Sequence, residues 1–175
     1  ILMAKPLISF AQIAEHDPFF LDVDKRPDWQ TLFGNLNPLK LEIGFGMGNF
    51  LIEMAGKEPD SNFIGIDFYH KGIRKIMTRI KNLQLENIRI VYGDIRNKIS
   101  ILFQDGELDT VYINFPDPWP KKRHLKRRLM KPEFIFQLAK KMGVDGKACL
   151  ATDSESYAYE MLDYFNSEIR LQNMD

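Results

Sequence analysis

A glycine-rich segment that begins beside an acidic residue is the first part of the sequence suited to binding a ligand. It reads Leu41-Glu-Ile-Gly-Phe-Gly-Met-Gly48, so glycines stand at positions 44, 46 and 48. Glycines allow a tight turn and let a ligand approach the backbone closely. A dinucleotide fingerprint would need its third glycine at position 49, which is Asn. Because the carboxylate of Glu42 would attract the α-ammonium of a methionine group and repel a pyrophosphate, the segment favours S-adenosylmethionine over NAD.

Two further acidic residues follow apolar runs downstream. Asp67 lies 21 residues after Gly46, at the end of such a run. An acid at this place can accept hydrogen bonds from both hydroxyls of a ribose. Asp94 follows the next run, where a carboxylate can accept from the amino group of adenine. Because Gly and Asp are common in turns at the ends of strands, a purely structural role for Gly93 and Asp94 is an open alternative.

A proline-rich segment, Asn114-Phe-Pro-Asp-Pro-Trp-Pro120, is suited to holding a flat base. Its three prolines within five residues restrict the backbone. Asp117 could accept hydrogen bonds from the amide edge of guanine, or it could form an Asx-type turn before Pro118. Trp119 could stack on a base or pack beneath the segment.

Positive charge is concentrated in the eight residues that follow. The chain has 24 basic and 24 acidic residues, and its formal net charge is zero. Residues 121–128 read Lys-Lys-Arg-His-Leu-Lys-Arg-Arg and contain six of the basic residues and no acid, which leaves the rest of the chain at −6. A cationic run is often only a solvated surface. Its attachment to the proline-rich segment favours contacts with RNA phosphates, which contribute affinity and register.

The elements that must position these residues alternate between strands and helices. Apolar runs predict strands, and apolar residues three and four positions apart predict helices. The predicted strands are 39–43, 62–67, 88–92, 108–115 and 147–151, and the predicted helices are 50–56, 70–83, 132–142 and 154–165. This alternation predicts an α/β fold, in which a mostly parallel sheet has helices on both faces. Ligands bind beyond the carboxyl ends of such strands, which is where the unusual residues lie.

Residues 1–37 differ in character from the alternating part. They are irregular and rich in proline, and we interpret them as an N-terminal extension with one short helix, followed by one domain over residues 38–175.

The single cysteine, Cys149, excludes a disulfide framework and favours the reducing cytoplasm. Three dispersed histidines and one cysteine resemble no zinc-ligand pattern, so we expect no metal. No apolar stretch approaches the roughly 20 residues that span a bilayer.

The sequence resembles the bacterial tRNA (guanine-N7-)-methyltransferase family through two motifs. The first, Glu42-Ile-Gly-Phe-Gly-Met-Gly48, is shared by many methyltransferases, whereas the second, from Asn114 to Arg128, is long and specific. The resemblance covers residues 38–166. It implies a Rossmann-like class I methyltransferase that transfers a methyl group from S-adenosylmethionine to N7 of a guanosine in tRNA. It leaves open whether the protein is a monomer or a homodimer.

The resemblance also implies roles for individual residues. Asp117 would be the catalytic residue, and Lys121 and Asp153 would contact the substrate. Asp153 also stands where a residue could cap the following helix, so a structural role is its alternative. The cofactor would be bound by Glu42, Gly44, Gly46, Asp67, Asp94 and Asp117. RNA would be contacted by Arg123, His124, Leu125, Lys126, Arg127 and Arg128.

Two features depart from the pattern of that family. Residues 1–38 lack its clear basic segment, and the chain reaches Asp175 without the family's Thr-x-x-Glu motif. We therefore expect the C-terminal strands of the sheet to be incomplete in this chain. Two alternatives stay open: another RNA or amino-group methyltransferase, or a catalytically reduced RNA-binding module of the same fold.

Overall fold

A parallel sheet positions the candidate site residues at and beyond the ends of its strands. The computed structural model describes residues 9–174, and within them the sheet has six strands. They are β1 (Phe20–Leu21), β2 (Leu39–Ile43), β3 (Asn62–Asp67), β4 (Ile88–Tyr92), β5 (Leu108–Asn114) and β6 (Met142–Ala151). Their order is β1-β4-β3-β2-β5-β6, and every pair is parallel. The chain moves outward from β2 to β3 and β4 and then returns to the other side of β2, so the topological switch point lies between β2 and β5. Ligands bind at such a point in open α/β sheets.

Helices cover both faces of the sheet. They are α1 (Phe10–His16), α2 (Trp29–Phe33), α3 (Asn49–Lys57), α4 (His70–Leu83), α5 (Ile95–Leu102), α6 (Pro132–Lys141) and α7 (Glu155–Asn166), with a short 3-10 helix at Lys122–Arg127. Apolar residues of α3 and α4 form one buried cluster, and those of α5, α6 and α7 form another. Two separate clusters require two covered faces, so the predicted Rossmann-like architecture is confirmed.

The N-terminal residues contribute more to the sheet than their irregular sequence suggests. Instead of one short helix, residues 9–37 form two helices and strand β1, which pairs with β4. Phe20 is buried, and the buried Trp29 donates from Nε1 to the carbonyl of Leu102 at 3.0 Å. The boundary placed at residue 38 stays a prediction.

Three elements differ from the sequence-based expectations. Helix α5 was not predicted, because it is short and follows an Asp that also marks a turn. Strand β5 ends at Asn114, since Phe115 has a φ of 50° and cannot continue an extended strand. Strand β6 begins at Met142, earlier than predicted, and its register against β5 shifts across an irregular stretch that includes Asp145 (φ 65°).

Candidate active site

The glycine loop forms an open cradle at the carboxyl end of β2. Gly44, Gly46 and Gly48 all have positive φ angles, of 73°, 55° and 73°. A Cβ atom on Gly44 or Gly46 would meet no atom within 4 Å, so the backbone there borders open space. By contrast, a Cβ on Gly48 would lie 2.3 Å from Cδ1 of Ile76. The first two glycines therefore leave room for a ligand, while the third lets α4 pack against the loop.

Asp67 braces this cradle from the end of β3. Its Oδ2 accepts from the amide of Gly46 at 2.8 Å, and its Oδ1 accepts from the amide of Tyr69 at 2.8 Å. Each carboxylate oxygen can accept more than one hydrogen bond, so the side chain keeps capacity for ligand hydroxyls. The amide of Gly93 donates to the carbonyl of Asp67 at 3.0 Å, which brings Asp94 to the same edge.

Glu42 is the most unusual group of the site, because its carboxylate is buried and pairs with no cation of the described residues. The residue is only 2% exposed. Its Oε1 accepts from Nδ2 of Asn114 at 3.2 Å, and its Oε2 has no hydrogen-bond partner within residues 9–174. Burial raises the pKa of Glu42 to about 7, and the negative charge of Asp67 adds to this. A buried acceptor without a partner is costly, so this oxygen fits the ammonium group of a ligand.

Asp94 has a structural role that the sequence left open. It caps α5 by accepting from the amide of Arg96 at 3.0 Å, and its carboxylate also pairs with the Arg96 guanidinium. Burial acts to raise the pKa of Asp94, but the hydrogen bonds and charge of Arg96 outweigh it and lower the pKa. A contact with adenine stays a prediction, which the cap neither requires nor prevents.

The segment after β5 presents Asp117 to solvent. Phe115 and Trp119 have positive φ angles of 50° and 41°, which turn the chain sharply around the prolines. Asp117 is exposed and accepts no hydrogen bond from residues 9–174, so the alternative of an Asx-type turn is not formed. Trp119 packs against the ring of His124 at 5.6 Å and under the guanidinium of Arg127 at 5.0 Å. The amide of Phe115 donates to the carbonyl of Ala151, which joins this segment to the end of β6.

Arg128 differs from the other basic residues of its run because it is buried, with 4% exposure. Its Nε donates to the carbonyl of Pro118 at 2.6 Å, and its Nη1 pairs with the carboxylate of Glu160 in α7. The guanidinium also lies 4.5 Å from the ring centre of Tyr157. Sequence reasoning expected Arg128 to contact RNA, but these contacts turn its side chain inward, where it holds the proline-rich segment against α7.

The remaining members of the run stay available at the surface. His124 and Leu125 are half-buried, and the exposed members are Lys121, Lys122, Arg123, Lys126 and Arg127. Asp153 is also exposed, beyond the end of β6. The N-cap of α7 is Ser154, so the Asp153 side chain does not take the capping role considered as its alternative.

Sequence reasoning missed two supporting residues. Asn114 was recognised only as the start of a motif, although its amide contacts Glu42 across the switch point. Glu160 stood out in no pattern, because nothing in a helical sequence shows which distant cation a glutamate will face. The feature that could have identified Asn114 is its place at the end of a strand next to β2.

Among residues 9–174, no three His, Cys, Asp or Glu side chains converge to hold a metal ion. None of the helices in that range is long and apolar enough to cross a membrane.

Comparisons with known proteins agree with this geometry. A family model described as a putative methyltransferase matches residues 36–175. The tRNA (guanine-N(7)-)-methyltransferase of Geobacter metallireducens is 41% identical over 150 residues, which cover 84% of this chain and 71% of the relative. The enzyme of the same name from Neisseria meningitidis serogroup B is 42% identical over 158 residues, covering 90% of this chain and 66% of the relative. The chain belongs to the tRNA (guanine-N(7)-)-methyltransferase family.

Membership of the tRNA (guanine-N(7)-)-methyltransferase family confirms the resemblance seen in the sequence. The chain spans about two thirds of the length of these relatives, 71% and 66%. A solved structure of precorrin-6y C5,15-methyltransferase from Geobacter metallireducens has the same fold, with a TM-score of 0.61 and 15% identity. The match covers 87% of this chain and 78% of that one. Since the identity is low, this likeness concerns the fold alone.

Proposed function

We propose that the chain transfers a methyl group from S-adenosylmethionine to N7 of a guanosine in tRNA, in the cytoplasm. The observation that carries the proposal is Glu42, whose buried Oε2 lacks a partner among residues 9–174 and lies beside an open glycine cradle. The names of the relatives support the tRNA guanine as the substrate.

The cofactor fits the groups at the ends of β2, β3 and β4. The carboxylate of Glu42 would hold the α-ammonium of the methionine part, and the amides of the glycine loop would border its carboxylate. Asp67 would accept from the ribose hydroxyls, and Asp94 would lie beside the adenine. S-adenosylmethionine supplies an electrophilic methyl group that a nitrogen lone pair can accept directly.

The exposed proline-rich segment would position the base. Guanine N7 has a lone pair and no proton, so the chain needs no general base to create the nucleophile. Catalysis then depends on orientation and on stabilising the positive charge that develops on the base. The free carboxylate of Asp117 suits that second task, and Lys121 and Asp153 would contact the substrate. The five exposed cations of the basic run would bind phosphates of the RNA.

The direct test is mass spectrometry of tRNA nucleosides after incubation of the chain with unmodified tRNA and S-adenosylmethionine. We expect 7-methylguanosine to accumulate. Asp117→Ala should lower turnover by about 100-fold or more, as expected when a group stabilising transition-state charge is lost. Calorimetry should show a much smaller loss of cofactor affinity than of turnover, because Glu42, Asp67 and the glycine loop would still hold the cofactor.

Asp60→Ala is a matched control, since Asp60 is exposed just before β3 begins, at the opposite edge of the sheet. It should leave turnover unchanged. A methylated adenine as the product would instead favour an amino-group methyltransferase. Cofactor or RNA binding without any methylated product would favour the RNA-binding module.

A further inference from the structure

Helix α4 carries a second concentration of positive charge. Its 14 residues include five Lys and Arg residues and one His, and no Asp or Glu. They are His70, Lys71, Arg74, Lys75, Arg79 and Lys81. Together with residues 121–128, this helix holds 11 of the 24 basic residues and none of the 24 acidic ones. The rest of the chain therefore has 13 basic residues against 24 acidic residues.

The charges on α4 are arranged against the stability of the helix. Lys71 stands in the first turn, where the positive end of the helix dipole disfavours cations, and no acid compensates it there. Lys71 and Lys75 are four residues apart, as are Lys75 and Arg79, and like charges at this spacing repel each other. Such an arrangement becomes favourable when a polyanion binds to the helix surface.

Two of these cations are free to bind a partner. Lys71 and Lys75 are exposed, and neither pairs with a carboxylate of residues 9–174. Lys81 already pairs with Asp17 at 2.6 Å. Arg79 donates to Oδ1 of Asn49 at 2.7 Å. The available positive surface of α4 therefore lies in its first two turns.

These two turns lie at the edge of the candidate active site. Helix α4 follows Asp67 closely, and Tyr69, its N-cap, donates its amide to the Asp67 carboxylate. Gly72 lies so near the glycine loop that a Cβ atom on it would be 1.9 Å from the carbonyl oxygen of Gly46. Strands β3 and β5 flank β2 on opposite sides. Lys71 and Lys75 thus lie on the β3 side of the cradle, and the basic run lies on the β5 side.

We propose that the exposed first two turns of α4, through Lys71 and Lys75, are a second contact surface for the phosphate backbone of the RNA substrate. This inference rests on the proposed function and adds a binding surface that the basic run alone does not supply. An RNA backbone that crosses the rim meets cations on both sides of the site, while the acidic remainder of the chain repels it. The apolar side of α4 is buried in the protein core, so the helix cannot insert that side into a lipid surface.

The test compares Lys71→Gln/Lys75→Gln with Lys57→Gln/Lys147→Gln as a matched control. Lys57 ends α3 and Lys147 lies near the amino-terminal end of β5, so both are exposed and far from the rim. Binding of unmodified tRNA to the full chain is measured over a series of salt concentrations. We expect the α4 variant to bind on the order of tenfold more weakly and to lose about 2 from the slope of log affinity against log salt. The control should keep the wild-type affinity and slope.

Equal slopes for the two double variants would overturn the α4 surface while leaving the proposed function intact. Binding of the chain to vesicles of anionic lipid that depends on Lys71 and Lys75, with tRNA binding unaffected, would overturn it in favour of a membrane surface. If the wild-type chain does not bind tRNA at all, the proposed function fails and this inference fails with it. Calorimetry with S-adenosylmethionine, unchanged in both variants, shows that the site is still folded.

Discussion

At the scale of single residues, Glu42 is a buried carboxylate whose ionisation costs stability. Its carboxylate is buried, and only one of its oxygens has a hydrogen-bond partner among the described residues. An ionised group in this position is destabilising until a cation arrives. The ammonium group of the proposed cofactor would supply that cation. Binding should then lower the pKa of Glu42, so cofactor affinity should fall as the pH drops below about 7.

The same residue makes folding stability depend on pH. The pKa of Glu42 is raised from 4.5 to about 7, so between these values the folded chain holds a proton that the unfolded chain has lost. Stability from this group is therefore fully present below pH 4.5 and is lost progressively as the pH rises to about 7, by about 3 kcal/mol in total. Glu42→Gln keeps the acceptor for Asn114 without the charge. We expect this variant to gain stability over the wild type at pH 8, and to gain little at pH 5.

Denaturant unfolding at both pH values, without cofactor, measures this difference. Glu15→Gln is the control, because Glu15 is exposed on α1 and its neutralisation should shift stability little at either pH. A Glu42→Gln variant that is equally stabilised or destabilised at pH 5 and pH 8 would show that the burial of this carboxylate carries no energetic cost.

The sequence predicts that most residues of the candidate site lie at one edge of the sheet, because their positions follow from topology. Once 39–43 and 62–67 are recognised as parallel strands, Glu42, the glycines and Asp67 must meet at one edge. It could not predict the side-chain partners. Whether Arg128 faces solvent or Glu160 depends on how α7 packs beside the loop, and the two are 32 residues apart. A run of eight mostly basic residues contains no local feature that marks one of them as buried.

At the scale of elements, the segment between β5 and α6 depends on an anchor in α7. Arg128 links the carbonyl of Pro118 to Glu160, and Lys131 also pairs with that carboxylate at 3.0 Å. The anchored carbonyl belongs to the residue directly after Asp117. We infer that the exposed carboxylate of Asp117 keeps its position because Arg128 holds the carbonyl of the next residue, Pro118. On this inference Arg128 would be a positioning residue, acting through the loop and not on the substrate itself.

Arg128→Lys tests this anchor, since lysine keeps the charge but loses the planar fork and the ring contact. We expect a loss of about 2 kcal/mol in stability, on the scale of a lost hydrogen bond from a charged group, because the bond to Pro118 is lost while the charge stays, together with lower turnover. Affinity for tRNA should be nearly unchanged. Lys126→Ala is the matched control from the same run: its exposed side chain should affect tRNA affinity and leave stability unchanged. If Arg128→Lys weakens tRNA binding at normal stability, the residue contacts RNA after all.

The elements themselves were predicted unevenly, for physical reasons. Helix α4 matches its predicted limits because its apolar residues recur at helical spacing between cations. Strand β1 could not be predicted, since a strand of two residues is too short to show a periodicity. It forms because the backbone of β4 is free to pair with it at the edge of the sheet. The early start of β6 was missed because its Gly143 and Gly146 are typical of a turn.

At the scale of the whole molecule, opposite charges are segregated although they cancel in total. The two acid-free segments, α4 and residues 121–128, lie on either side of the switch point, and most of the remaining surface charge is acidic. Such a distribution orients a polyanion before contact and keeps it on one edge of the sheet. The zero net charge would otherwise predict no attraction to nucleic acid. The sheet order brings two separate basic parts of the sequence to the two sides of one rim.

If a single RNA contacts both sides of this rim, the losses in salt slope and in affinity caused by substitutions on the two surfaces should add. We expect Lys126→Gln/Arg127→Gln to lower the salt slope by about 2, as for Lys71→Gln/Lys75→Gln, and the quadruple variant to lower it by about 4. The affinity losses should also add on a logarithmic scale, because the two pairs share no contacts. Titration of one unmodified tRNA against the wild type, the two double variants and the quadruple variant measures this. The control Lys57→Gln/Lys147→Gln should keep the wild-type slope and affinity. A quadruple variant no weaker than either double variant would mean that the RNA uses one surface at a time.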